Sequence, residues 1–240
     1  MPNWAVNGTH NGVASVGLVP RPGCAVVRPL RSTLGGERHD QSRPRSQQHM
    51  KLLYSFQWAH FLWCVALAPI AILLHELSHQ VVGVAVGFPA QLHFASVSGI
   101  PEAAPFGGNP VSVALASLAG PAMSMSLMAI GAHFSKRPWG LPLVAVNVPR
   151  FVVNVVFLVQ QALVVAGVFK AGESRFDEAT AANALGWSAV ALGSVGALFF
   201  FFGLVWLWRR AKGAGFIALA LGTASGAFIW LQLLGPLLLP

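Results

Sequence analysis

Five consecutive residues, His75 to His79, have the types and the spacing of a hydrolytic metal centre. Their sequence, HELSH, follows the HExxH pattern. On a helix, residues four apart lie on one face, so His75 and His79 can direct ring nitrogens at the same metal ion. Glu76 lies about 100° around the helix from His75. This is a position where a general base can take a proton from a water molecule that the metal polarises.

The motif lies inside an apolar run that extends from Phe61 to Gly87. An ionisable side chain at the centre of a membrane helix costs about 2.5–3.5 kcal/mol on insertion scales, and such residues usually serve a function. A chance match would more often fall in the polar N-terminal part of the chain. The alternative, a surface helix whose histidines and glutamate only contact water, therefore has less support.

A catalytic zinc site needs a third protein ligand besides two histidines. Three of the few acids in the apolar part of the chain occur close together, at Glu173, Asp177 and Glu178. Asp177 opens a predicted helix over 177–186, and the backbone dipole favours a carboxylate at such an N-terminus. We expect Asp177 to complete a site for one zinc ion per chain. Glu173 is the main alternative ligand, and Asp177 could instead serve only as a helix cap.

The composition is that of an integral membrane protein. The chain is 55% hydrophobic and only 9% charged, whereas soluble proteins are about 25% charged. The net charge of +8 does not indicate nucleic-acid binding, because six of the fifteen Lys and Arg residues precede residue 50 and most others flank apolar runs. Such a distribution is typical of membrane orientation. We therefore expect a lipid bilayer as partner and a multi-pass protein of a bacterial-type plasma membrane.

Two regions differ in composition. Residues 1–50 form a basic tail rich in Gly, Pro, Ser and Arg, which we expect to be disordered. Met50 resembles a natural beginning, so residues 1–49 could result from a misassigned start. Residues 51–240 form the predicted transmembrane metalloprotease-like domain.

The predicted fold is an all-α polytopic membrane protein with about five transmembrane helices. They are expected near 54–86, 111–134, 150–169, 186–208 and 214–238. Gly83 is expected to break the first span beyond the motif. The loop after that span carries an alternating stretch, 91–98, bounded by turn signals, which fits a surface loop with one amphipathic stretch and equally a short β-hairpin. Its open edge could bind an extended substrate as an added strand, and its His93 is expected to be a hairpin residue rather than a ligand.

The basic residues between the spans predict the orientation. Lys136 and Arg137 follow the second span, and three more basic residues follow the fourth, whereas the loop 88–110 has none. The positive-inside rule then places the N-terminus in the cytoplasm and the histidines toward the outer side. Arg150, at the start of the predicted third span, is expected to extend to the cytoplasmic interface.

The second span has a small residue at every fourth position, namely Ser112, Ala116, Gly120 and Ser124. Small side chains along one helix face allow another helix to approach closely. This face could frame the active site, although ordinary helix packing explains any single one of these residues better.

Together, the early HELSH, the sequence Leu118-Ala-Gly-Pro-Ala122 and an aspartate near a later span resemble the site-2 protease family of intramembrane zinc metalloproteases. The resemblance covers roughly residues 65–186. It implies that His75, His79 and Asp177 bind zinc and that Glu76 activates water to hydrolyse a peptide bond of a membrane protein or peptide. The family's usual residues around the aspartate are absent at Phe176-Asp177-Glu178.

Two other functions fit parts of the pattern. The spacing of Glu173 and Asp177 is similar to that of gluzincins, which would make the protein a membrane-surface zinc protease that uses Glu173 as ligand. A non-enzymatic transporter or scaffold would have no need of the carboxylate of Glu76.

Overall fold

The computed structural model describes residues 57–101, 109–168 and 176–239. It is mostly helical, with five segments long and apolar enough to cross a membrane, so the predicted number of spans is confirmed. The spans are Trp58–Ala85, Pro110–His133, Gly140–Val165, Ala189–Ala211 and Gly213–Leu238. The tail over 1–50 and Glu173 lie outside the described residues.

The first span is a single helix, α1, from Trp58 to Ala85, with Pro69 in its interior. The expected break at Gly83 is wrong, because the helix continues through this residue to Ala85. A Cβ atom built on Gly83 would lie 3.0 Å from Cβ of Ala90 and 3.3 Å from Cδ1 of Ile100. The absence of a side chain at Gly83 therefore allows the following segment to approach closely, and the residue does not end the helix.

That segment forms the predicted hairpin. Strand β1, Gln91–His93, pairs antiparallel with β2, Ser96–Ser98, with Leu92 opposite Val97. As expected, His93 belongs to the hairpin: its Nε2 lies 3.0 Å from Oγ of Ser98. The turn is attached to the last span, because the indole N–H of Trp230 donates to the carbonyl of Phe94 at 2.8 Å.

The second span is helix α2, from Pro110 to His133, and residues that favour helix initiation stand at its start. The side chain of Asn109 accepts from the backbone N–H of Val111, and Pro110 occupies the first turn. The predicted small face packs against α1, and its members Ala116, Gly120 and Ser124 are buried.

The third span begins earlier than expected and consists of two helices. A short α3, Gly140–Ala145, is followed by three residues without regular helix and then by α4, Pro149–Val165. Pro149 stands in the first turn of α4, where the missing N–H of a proline is tolerated. Because the span begins at Gly140, Arg150 lies well inside it. The expected extension of Arg150 to the interface is wrong, and its actual contacts are described below.

A short helix, α5 from Asp177 to Leu185, precedes the fourth span and ends at Gly186 with φ of 68°. Its N-cap residue is Phe176, without a side-chain cap hydrogen bond, so Asp177 is not the N-cap. The fourth span is α6, Ala189–Ala211. The fifth contains α7, Gly213–Ile229, a π-helical turn, Trp230–Leu234, and α8, Gly235–Leu238.

The helix α7 packs closely along α1. A Cβ atom on Gly222 would come within 2.8 Å of Cβ of Cys64, and one on Gly226 within 2.9 Å of Cβ of Ala68. Glycines four residues apart let two backbones approach within a membrane. This contact fixes the face of α1 that carries the histidines toward the centre of the helix bundle.

Candidate metal centre

Three side chains predicted as ligands meet at one point. The Nε2 atoms of His75 and His79 lie 3.2 Å apart. The Oδ2 atom of Asp177 lies 3.4 Å from Nε2 of His75 and 3.6 Å from Nε2 of His79. Both histidines are buried, and the carboxylate is partly exposed. The three residues form a group that could hold a metal ion.

The spacing of the three atoms suits a tetrahedral metal. With bonds of about 2.0–2.1 Å, neighbouring ligand atoms of a tetrahedral zinc site lie about 3.3–3.4 Å apart. The observed separations of 3.2, 3.4 and 3.6 Å lie on either side of this value. Two imidazole nitrogens and one carboxylate oxygen are also a donor set that zinc accepts in catalytic sites. The residues present therefore fit a zinc ion with one position left for a reactant.

The other ring nitrogen of each histidine is held by α2. Nδ1 of His79 lies 2.7 Å from the carbonyl oxygen of Ala116. A carbonyl can only accept, so Nδ1 carries the proton and Nε2 keeps its lone pair for a metal. Nδ1 of His75 lies 3.0 Å from Oγ of Ser124. The predicted small face of α2 thus orients both ligands.

Gly120, between these two contacts, makes room for the rings. A Cβ atom at this position would overlap Nε2 of His79 and lie 2.6 Å from both Cε1 and Nε2 of His75. Nothing larger than glycine fits unless the ligand rings move. This explains the glycine of the Ala-Gly-Pro sequence by its contact with the two histidine rings, whereas the sequence alone indicated only that its helix face could pack closely or frame the site.

The start of α5 separates its two acids. Asp177 turns to the histidines, whereas Glu178 is buried on the side of α6, where a Cβ atom on Gly196 would lie 3.4 Å from its Oε1. Burial raises the pKa of Glu178 above its ordinary value. Burial also acts to raise the pKa of Asp177, but its contacts with the two histidine rings and the charge of Arg150 hold this pKa well below its usual range. The surroundings therefore shift the pKa values of the two neighbouring acids in opposite directions.

Arg150 is the site residue that the sequence reasoning missed. Its Nη2 donates to Oδ2 of Asp177 at 2.5 Å and to Nε2 of His75 at 2.8 Å. A metal bonded to both of these atoms would lie no more than about 3.2 Å from that nitrogen. Two cations so close repel each other strongly, so Arg150 and a metal at this place require different positions of the guanidinium. The available signal was a charged residue in the first turn of an apolar helix.

Glu76 borders a cavity of about 470 Å³ together with the three ligands. Strand β2 forms another wall of this cavity, through Ser96, Val97 and Ser98. The glutamate is partly buried and adjoins the ligands, as the helix geometry predicts for a general base. A candidate general base, a group of candidate metal ligands and a strand therefore border the same cavity.

Comparison with known proteins adds no relative: no family model, no curated protein and no solved structure matches this chain. The functional inference therefore depends on the residues and their geometry.

Proposed function

We propose that this protein is a zinc-dependent endopeptidase of site-2 protease type, which cleaves peptide bonds within or beside the bilayer. One observation carries the proposal: Asp177 converges at tetrahedral spacing with His75 and His79, which lie with Glu76 on a helix apolar enough to span a membrane. A buried cluster of ionisable residues is costly in a bilayer, and such clusters usually serve a function. We place the protein in a bacterial-type plasma membrane.

The chain's own residues suit hydrolysis. A bound zinc ion would polarise a peptide carbonyl and lower the pKa of water toward about 7. Glu76 accepts the proton of the attacking water molecule and returns it to the nitrogen of the leaving amine. Ala116 and Ser124 hold the histidine rings in orientation, so the site is formed before substrate binds.

The hairpin suits presentation of an extended substrate. Among the described residues β2 pairs only with β1, so its other edge is available for a further strand. A helical segment hides its carbonyl groups in internal hydrogen bonds and must unwind before hydrolysis. Addition to the edge of β2 would replace those hydrogen bonds while the peptide lies in the cavity that Glu76 borders.

Glu76→Gln provides the direct test. The full chain, reconstituted in lipid nanodiscs, is assayed for zinc content and for cleavage of a synthetic transmembrane peptide. The substitution keeps the size of the side chain and removes its basicity, so we expect unchanged zinc and a rate lower by about 10²–10⁴-fold.

The rival functions predict other results. A transporter or scaffold would show no cleavage that depends on Glu76. A gluzincin-like protease would lose its zinc when Glu173 is replaced by Ala and keep it when Asp177 is replaced. A chain that folds but binds no supplied zinc would contradict every protease assignment.

A further inference from the structure

A second cavity, of about 170 Å³, adjoins the first at the reaction site. Both cavities are bordered by His75, Glu76, Arg150 and Val153. The second continues along α1 toward its N-terminus, past Ala71 and Ala68. It therefore opens from the candidate site in a direction other than that of the hairpin.

The walls of this second cavity expose mainly apolar surface, although the polar side chains of Ser124, Asn147 and Thr223 also line it. On α1, Ala71 and Ala68 lie one and two turns before His75, on the same helix face. Ala227 of α7 and Val146, between α3 and α4, form further parts of the wall. A cavity of about 150 Å³ with apolar walls can bind a benzene molecule, so this space can hold a branched aliphatic or aromatic side chain.

We propose that this cavity is a specificity subsite for a large apolar side chain next to the scissile peptide bond. The proposal rests on the proposed protease function. The position of the cavity identifies a substrate side chain as its occupant. Because the cavity borders Glu76, a side chain of a bound peptide that enters it must belong to a residue next to the scissile bond. An extended peptide sends successive side chains to opposite sides. One neighbour of the scissile bond can thus point into the hairpin cavity and the next into the apolar one.

The size of the occupant is set by Ala227 and Val146, which lie on different elements and outside the proposed catalytic group. Ala227→Leu adds volume that fills the cavity, and Val146→Ala removes volume and widens it. The two changes should move the preferred side chain in opposite directions. Ala224, one turn earlier on α7 and exposed, offers a matched control, since Ala224→Leu adds the same atoms outside the cavity.

The experiment compares peptides that differ only in one residue beside the cleaved bond, with the bond identified by mass spectrometry. Hydrophobic pockets discriminate by about 10–200-fold for small differences in side-chain size. We expect the wild-type chain to cleave the Leu or Phe peptide with at least about tenfold higher kcat/KM than the Gly peptide. Ala227→Leu should remove this preference with zinc content unchanged, and Val146→Ala should favour the larger of the two apolar residues.

Several results would overturn the subsite. One is a Leu-to-Gly ratio that stays the same in both variants while cleavage still depends on Glu76; this would fit a lipid chain or water in the cavity and leave the protease function intact. Another is an equal change of the ratio in Ala224→Leu. If no peptide is cleaved in a Glu76-dependent way, the proposed function itself fails, and the subsite fails with it. Should Ala227→Leu lose its zinc, Val146→Ala alone decides.

Discussion

The two halves of the candidate site are built in different ways. His75, Glu76 and His79 lie within five residues of one helix, so local geometry alone places them side by side. The other half consists of Asp177 from α5, Arg150 from α4 and Gly120 from α2, which meet the histidines only through tertiary packing. The local half contains two of the proposed ligands and the proposed base, and the remote half would determine whether a metal is held there and in what geometry.

Of the changes to the two halves, removal of Asp177 should have the largest effect on zinc binding. Asp177→Ala deletes the third ligand, and we expect zinc to fall from about one ion per chain to nearly none, because catalytic zinc sites use three protein ligands. Metal analysis of the purified chain measures this directly. Glu173→Ala is the comparison variant and should keep its zinc. The reverse pattern would transfer the ligand role to Glu173.

Gly120→Ala should have the next largest effect, since it forces the ligand rings apart without touching their chemistry. We expect a loss of about 10–100-fold in zinc affinity, the size seen when groups that orient metal ligands are disturbed. A competition titration with a chelator measures it. Gly203→Ala is the matched control, because its new Cβ meets only the flexible Met128 side chain. Equal affinities in the two variants would contradict the role given to Gly120.

Ser124→Ala should have a smaller effect of the same kind. It removes the partner of Nδ1 of His75 and leaves the ring in place, so we expect about a tenfold loss of zinc affinity. Ser126→Ala serves as control, because its hydroxyl bonds only to the carbonyl of Ala122 within the same helix. If both serine variants bind zinc like the wild-type chain, α2 does not orient the ligand.

Arg150→Gln should have the smallest effect and the opposite sign. Its guanidinium lies too close to the ligand atoms to stay in place when a metal binds, so its removal should favour the metal. Arg150 and Asp177 are both partly exposed, and solvent limits the interaction energy of such an ion pair to about 1 kcal/mol. Its loss corresponds to a gain in zinc affinity of about fivefold. Arg137→Gln, in the exposed loop after α2, is the control. Weaker zinc binding in Arg150→Gln would mean that the arginine supports the metal site.

Much of the fold follows from the sequence because its signals are local. Long apolar runs predict the five spans, alternation and turn residues predict the hairpin over 91–98, and Asp177 marks the start of a helix. The errors occurred where packing overrides local signals. Gly83 continues the helix and packs against Ala90 and Ile100, which flank the hairpin, and the third span begins at Gly140 rather than near Arg150.

The sequence by itself determined the relative placement of the side chains in the α1 half, because a five-residue pattern on a helix leaves little freedom in where they point. Only the tertiary structure decided which acid joins it. Asp177 and Glu178 are neighbours of the same type, and they diverge because successive residues on a helix face directions about 100° apart. Tertiary packing likewise brought Arg150 to the ligands and left no room for a side chain at Gly120. Contacts between residues far apart in the chain depend on how helices pack, and no local pattern encodes them.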